Sequence, residues 1–135
     1  MSAVTQVENA GYWITLDAQM AESITTDNLT SPNFIIITWT DWDLLGGDSI
    51  YHSVTYYFEG LENGIGILMR HHWSSAGANE TSVVGEDIYY EPTDPENTTL
   101  ATYQSPELTV RLVSDYRGTT EKREYKIIRR PDYNW

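Results

Sequence analysis

Hydrophobic and polar positions alternate most regularly between Ile50 and Trp73. Ile50, His52, Val54, Tyr56 and Phe58 fall on one side of an extended chain, with Tyr51, Ser53, Thr55, Tyr57 and Glu59 on the other; this is the period of a half-buried strand. Past Gly60-Leu61-Glu62-Asn63-Gly64, a second alternation sets Ile65, Ile67, Met69, His71 and Trp73 against Gly64, Gly66, Leu68, Arg70 and His72. Together the runs predict a long antiparallel hairpin. Its apolar face carries two histidines and a tyrosine, which a plain core does not need. That face is the expected wall of a pocket.

Elsewhere the same period recurs in shorter pieces. Residues 1–10 are polar and unpatterned and read as a loose N-terminal arm, leaving 11–135 as a single β domain. Tyr12, Ile14 and Leu16 alternate with Trp13 and Thr15, which predicts a first strand over Gly11 to Asp17. The least strand-like stretch is Ala18 to Pro32, read as a long connection with room for a short helix over Gln19 to Ile24 and placed to act as a lid. Further strands are expected over 33–41, 81–90, 98–104, 107–116 and 121–130, with the proline-rich 91–97 segment as a solvent loop. If the last turn has four residues, Leu112 faces Tyr125 and Val110 faces Ile127, so like meets like across the pair. Eight strands joined mostly by short loops predict an all-β, single-domain antiparallel eight-stranded barrel, the alternative being a two-sheet β-sandwich.

Composition narrows the chemistry. At 135 residues the chain is long enough for one sizeable core. It has no cysteine, so disulfides, thiolate metal sites and a cysteine nucleophile are excluded. The N-terminus lacks the basic and apolar regions of a leader, and no apolar run is long enough to span a membrane, which points to a cytoplasmic protein. A formal charge of −12 argues against nucleic acid and against anionic membranes as partners. Five of the eight Lys and Arg residues lie between Lys122 and Arg130, a counterweight to nearby carboxylates. Asn28, Asn79 and Asn97 open Asn-x-Thr triplets, which matter only on a eukaryotic secretory route.

Gly11-Tyr12-Trp13 at the start of the predicted first strand resembles the Gly-x-Trp signature of the calycins, the lipocalin and avidin-like barrels. The resemblance covers these three residues and one cation. It implies a calycin-like meander whose tryptophan packs against an arginine of the last strand, Arg123 or Arg129, and a small apolar ligand inside the barrel.

The hairpin's register decides whether His52 and His71 are neighbours. A loop of Gly60 to Asn63 would set them face to face, close enough to share a metal ion. A two-residue Asn63-Gly64 turn, the stronger signal, sets His71 opposite Tyr56 and His52 about 13 Å further along at about 3.3 Å per residue. Neither a metal nor a cofactor is therefore expected. Pairing Ile67 with Ile88 and Ile65 with Tyr90 brings Glu86 beside Met69 and diagonal to His71, so His71, Glu86 and Tyr56 are the candidate catalytic groups, as base, orienter and polar handle. His52, Val54, Phe58, Ile67, Met69, Trp73 and Ile88 are the candidate ligand-binding residues. The loop carboxylates Asp41, Asp43 and Asp48 do not match the spacing of an EF-hand. The expected function is binding of a hydrophobic small molecule in the barrel, extending to a cofactor-independent cyclase or isomerase that shapes its substrate. The alternative is a glycan- or protein-binding module that uses Trp39, Trp42, Tyr51, Tyr57 and Trp135 as surface aromatics. Burial of these rings under loops or in a homodimer interface is the competing account.

Overall fold

A computed structural model of the chain describes residues 2–43 and 45–131; Trp135, one of the expected surface aromatics, lies outside them. The chain opens with helix α1 (Ala3–Met20), followed by strands β1 (Ser23–Thr25), β2 (Asn33–Asp41), β3 (Ile50–Glu62), β4 (Ile65–Ser74), β5 (Asn79–Tyr89), β6 (Leu100–Gln104), β7 (Glu107–Tyr116) and β8 (Thr119–Ile128). The expectation of a predominantly β chain holds, and from Asn33 onward each predicted strand is found within a few residues of its place. The N-terminal region differs. One helix replaces both the loose arm and the first strand.

The helix has a clear physical basis. Ser2 caps it, its Oγ accepting the Thr5 N–H at 3.1 Å. Ala3, Val7, Ala10, Ile14 and Ala18 recur at intervals of three to four and are all buried. Tyr12, Leu16 and Met20 lie on the exposed side. Those exposed apolar residues, interleaved with the buried stripe, produce the two-residue alternation that mimics a strand. Gly11 sits where the helix meets β8: a Cβ there would lie 2.2 Å from the Tyr125 ring, and Tyr125 in turn donates its hydroxyl to the Val7 carbonyl at 3.2 Å. Gly11 thus serves close helix-to-sheet packing, and the segment resembling the calycin signature is helical. Trp13 packs under the Arg70 guanidinium, 4.8 Å from the ring centroid, instead of meeting an arginine of the last strand.

The strands form one antiparallel sheet running β1-β2-β3-β4-β5-β7. β8 pairs along one edge of β7, leaving β6 and the end of β5 to share the other. The sheet curls into a half-barrel, and α1 lies in its concavity against β5, β7 and β8. Full closure is not seen. At one corner the two ends of the sheet approach, where Arg130 meets Glu22 at 3.3 Å and Glu22 also accepts the Thr40 N–H. Ala18 to Pro32 is correspondingly not a free lid: it holds the last turn of α1, and β1 within it pairs with β2.

Two turns and one bulge set the registers. Asn63 and Gly64, both with positive φ, make the expected two-residue turn, with Glu62 facing Ile65. A β-bulge then follows: Gly60 and Leu61 together oppose Gly66, and Glu59 faces Ile67. A Cβ on Gly66 would come within 2.9 Å of the Glu59 carbonyl oxygen, so the residue opposite the bulge is glycine. The extra residue reverses which half of β4 faces inward. Arg117 and Gly118 make a second two-residue turn, so Val110 faces Tyr125 and Leu112 faces Arg123, two places from the four-residue expectation but on the same face.

Candidate functional site

The inner face at the open end of the half-barrel collects polar residues from α1 and from the central strands. Across β2, β3 and β4, Trp39 faces His52, Val54 faces His72 and Tyr56 faces Arg70. Residues directly opposite share a face. The inner set is therefore His52, Val54, Tyr56 and Phe58 from β3 with Leu68, Arg70 and His72 from β4. Ile67, Met69, His71 and Trp73 belong to the outer face, where His71 Nε2 contacts Asn79 Oδ1 at 2.6 Å and Trp73 is exposed.

Two linked clusters occupy this inner face. In the deeper one, Arg70 holds Asp17 with a two-pronged ion pair, Nε to Oδ2 and Nη2 to Oδ1, each 2.8 Å. Tyr56, fully buried, donates its hydroxyl to the same carboxylate. Burial, reinforced by the Asp17 charge and hydrogen bond, pushes the Tyr56 phenol well above the usual tyrosine range, while Arg70 pulls the other way. The bond to Asp17 raises the Arg70 guanidinium above its ordinary value. Three strongly polar groups are thereby satisfied by one another, which is the condition for burying them.

The shallower cluster is a hydrogen-bonded chain. Asp41 Oδ2 lies 2.9 Å from His52 Nε2, and His52 Nδ1 lies 2.9 Å from His72 Nε2. A carboxylate only accepts, so His52 carries its proton on Nε2 and presents a lone pair at Nδ1. His72 then donates from Nε2, which leaves its Nδ1 as a basic lone-pair nitrogen. No described residue bonds that nitrogen. Burial first, then the Arg70 charge and the repulsion His52 would exert if it were itself protonated, hold the His72 imidazole below the usual histidine range, against the weaker opposing pull of Asp17 and Glu80. His72 is accordingly neutral, and a proton acceptor, near pH 7. The Trp39 indole lies nearly parallel to both imidazoles, its centroid 4.8 Å from His52 and 6.1 Å from His72. Trp39 is buried, which the surface-aromatic alternative does not accommodate, and its Nε1 has no hydrogen-bond partner among the described residues.

The expected site residues are divided between the two faces. Tyr56 and His52 reach the inner face, the first bound to Asp17 and the second to Asp41 and His72. Val54, Phe58 and Ile88 are core residues. His71 is not beside Tyr56, because the bulge exchanged it for Arg70. Glu86 lies in an irregular stretch of β5 opposite Ile67, with its N–H donated to Gln6 Oε1 at 2.7 Å, and is four residues along the ladder from His71. Ile88 faces Gly66 and Ile65 faces Tyr89, one place from the expected pairing. His71, Glu86 and Tyr56 are thus not brought together. Asp17, Trp13, Trp39, Arg70 and His72 enter the site without having been singled out for it. The tandem His71-His72 held one usable signal, since one of two adjacent strand residues must face inward.

Among the described residues, no three His, Asp or Glu side chains gather as a metal site. No helix is long and apolar enough to cross a membrane. Trp42 is exposed just past the end of β2, Tyr51 is exposed on the outer side of the sheet, and Tyr57 is half-buried there. In comparisons with known proteins, no family model, no curated protein and no solved structure matches this chain.

Proposed function

We propose that this chain binds a small molecule with an apolar body at the mouth of its half-barrel and that His72 exchanges a proton with it. The observation that carries this reading is the chain Asp41–His52–His72. An imidazole whose pKa is lowered is a competent base at neutral pH, and a carboxylate one residue removed stabilises the cation that forms when it accepts a proton. In the proposed step, a ligand O–H or acidic C–H gives its proton to His72 Nδ1, and the positive charge is shared towards Asp41 through His52. Returning the proton to a different ligand atom would be an isomerisation, a reaction that balances without an oxidant, reductant or second substrate. Trp13 and Trp39 supply aromatic surface for the apolar body, and the buried Trp39 N–H is a donor in want of an acceptor. The ion-paired Arg70 fixes the floor of the site.

Native mass spectrometry of freshly purified protein tests the proposal. A retained small molecule is expected in the wild type, with its occupancy reduced at least tenfold in His72→Gln and Asp41→Asn and unchanged in the remote control Glu96→Gln. Equal occupancy in all four proteins, or none in the wild type, would overturn it.

A further inference from the structure

A concave site lies at the other end of the half-barrel. β3 runs from His52 at the mouth to Phe58, six residues and about 20 Å away. Beyond Phe58, the segment leading into β2 and the segment between β5 and β6 enclose a cleft of about 210 Å³. Phe34 and Tyr90 form its aromatic floor, Leu29 and Pro92 are among its walls, and Asn28 and Asn33 bring amide groups to it. Its twelve lining residues include no Asp, Glu, Lys, Arg or His, in a chain of which 21% is charged.

Hydrogen bonds hold both walls in place. Asn33 N–H donates to the Thr30 carbonyl at 3.0 Å and Phe58 N–H to the Pro32 carbonyl at 3.0 Å, while Thr99 N–H donates to the Tyr89 carbonyl at 3.0 Å. Glu91 N–H donates to Thr98 Oγ1 at 2.8 Å. The floor is equally constrained. Tyr90 stacks on Phe58 at 4.2 Å and meets Phe34 edge-on at 5.7 Å. Its hydroxyl has no hydrogen-bond partner among the described residues, and burial raises its pKa, so it stays protonated. A walled, preformed cleft with an aromatic floor and a few polar groups has the anatomy of a ligand site, and its volume falls below the roughly 300 Å³ at which drug-sized pockets begin.

We propose that this cleft binds an uncharged molecule built on a single ring, with one hydrogen-bonding group directed to the Tyr90 hydroxyl. Charge is the selective criterion. An anion would lose hydration with no cationic side chain in the lining, the Arg111 guanidinium behind it being already engaged by the Thr98 and Pro95 carbonyls, and the lining offers no carboxylate to hold a cation. The site is independent of the mouth and of His72.

Benzamide and benzoate, nearly equal in shape and different in charge, are suitable probes. In amide-resolved NMR titrations of the full chain, millimolar benzamide should shift Leu29, Phe34, Tyr90 and Leu100, and benzoate should bind at least tenfold more weakly. Tyr90→Phe, which keeps the ring and its stacking, should weaken benzamide several-fold, whereas His72→Gln should leave its affinity unchanged. Equal binding of benzoate, shifts centred at the mouth, loss of benzamide binding in His72→Gln, or no shifts at all would overturn the proposal.

Discussion

His72 lies directly opposite Val54 on the inner face of the β3–β4 hairpin, and its neighbour His71 opposite Thr55 on the outer face. The extra residue at Gly60-Leu61 sets this parity, for the Asn63-Gly64 turn alone would pair Tyr56 with His71. The inward β4 set, Leu68, Arg70 and His72, is less apolar than the outward set, Ile67, Met69, His71 and Trp73. What favours it is complementarity. Arg70 meets the Asp17 carboxylate of α1, and His72 meets His52.

Gly60 adopts φ +66° in the bulge, with no atom within 4 Å of where a Cβ would stand. Gly60→Ala should therefore cost about 1–2 kcal/mol from backbone strain alone. Deleting Leu61 removes the bulge without changing which residues face inward, and should leave the Val54–His72 pairing intact. Urea denaturation measures the first effect and cross-strand NOEs the second. A Leu61 deletion that moved His71 to the inner face would show that neither the Asn63-Gly64 turn nor the inner-face contacts set the register.

The Asp17–Arg70–Tyr56 cluster should respond unequally to truncation of Asp17 and of Tyr56. Asp17→Ala leaves a part-buried guanidinium without its counter-charge and should cost about 3 kcal/mol, the low end for a fully buried pair. Tyr56→Phe removes one hydrogen bond while the ion pair persists, and should cost about 1 kcal/mol. Denaturant midpoints at constant m-value distinguish these outcomes. Equal losses would mean that the ion pair adds nothing beyond the tyrosine hydrogen bond.

Acid should destabilise the fold through His72. Its imidazole is held below the usual range in the folded state, so below the unfolded value of about 6.5 the unfolded chain binds a proton that folded His72 resists. Stability then rises with pH between the lowered folded value and about 6.5, and is lost as pH falls through that window. His72→Gln removes this contribution, so the stability difference between wild type and variant should shift against the wild type on going from about pH 7 to about pH 5. Paired urea titrations at the two values measure it, and a difference independent of pH would refute the assignment.

The predominantly β character, the limits of β2 and β7, the Asn63-Gly64 turn and the loop ending at Pro32 were all legible in the chain, because period-two alternation and turn-forming residues are local properties. His52 and Tyr56 could be assigned to a polar inner wall for the same reason. Local signals failed where two patterns overlapped. From Gly11 to Asp17, exposed Tyr12 and Leu16 interleave with the buried helical position Ile14, and the sum reads as a strand. In β4 both alternate sets contain apolar residues, so hydropathy alone could not choose the inner one.

Tertiary structure made those choices. α1 fills the concavity that an empty barrel would have offered to a ligand, and it brings Asp17 to the level where β4 must answer with Arg70. That demand, met through one additional residue at Gly60-Leu61, turns His72 inward to join His52 and Asp41. The sequence by itself determined which segments extend and where they turn, since these depend on neighbours within a few residues. Which side of β4 faces the helix depended on satisfying a buried charge supplied from more than fifty residues away, and only the packed fold contains that constraint.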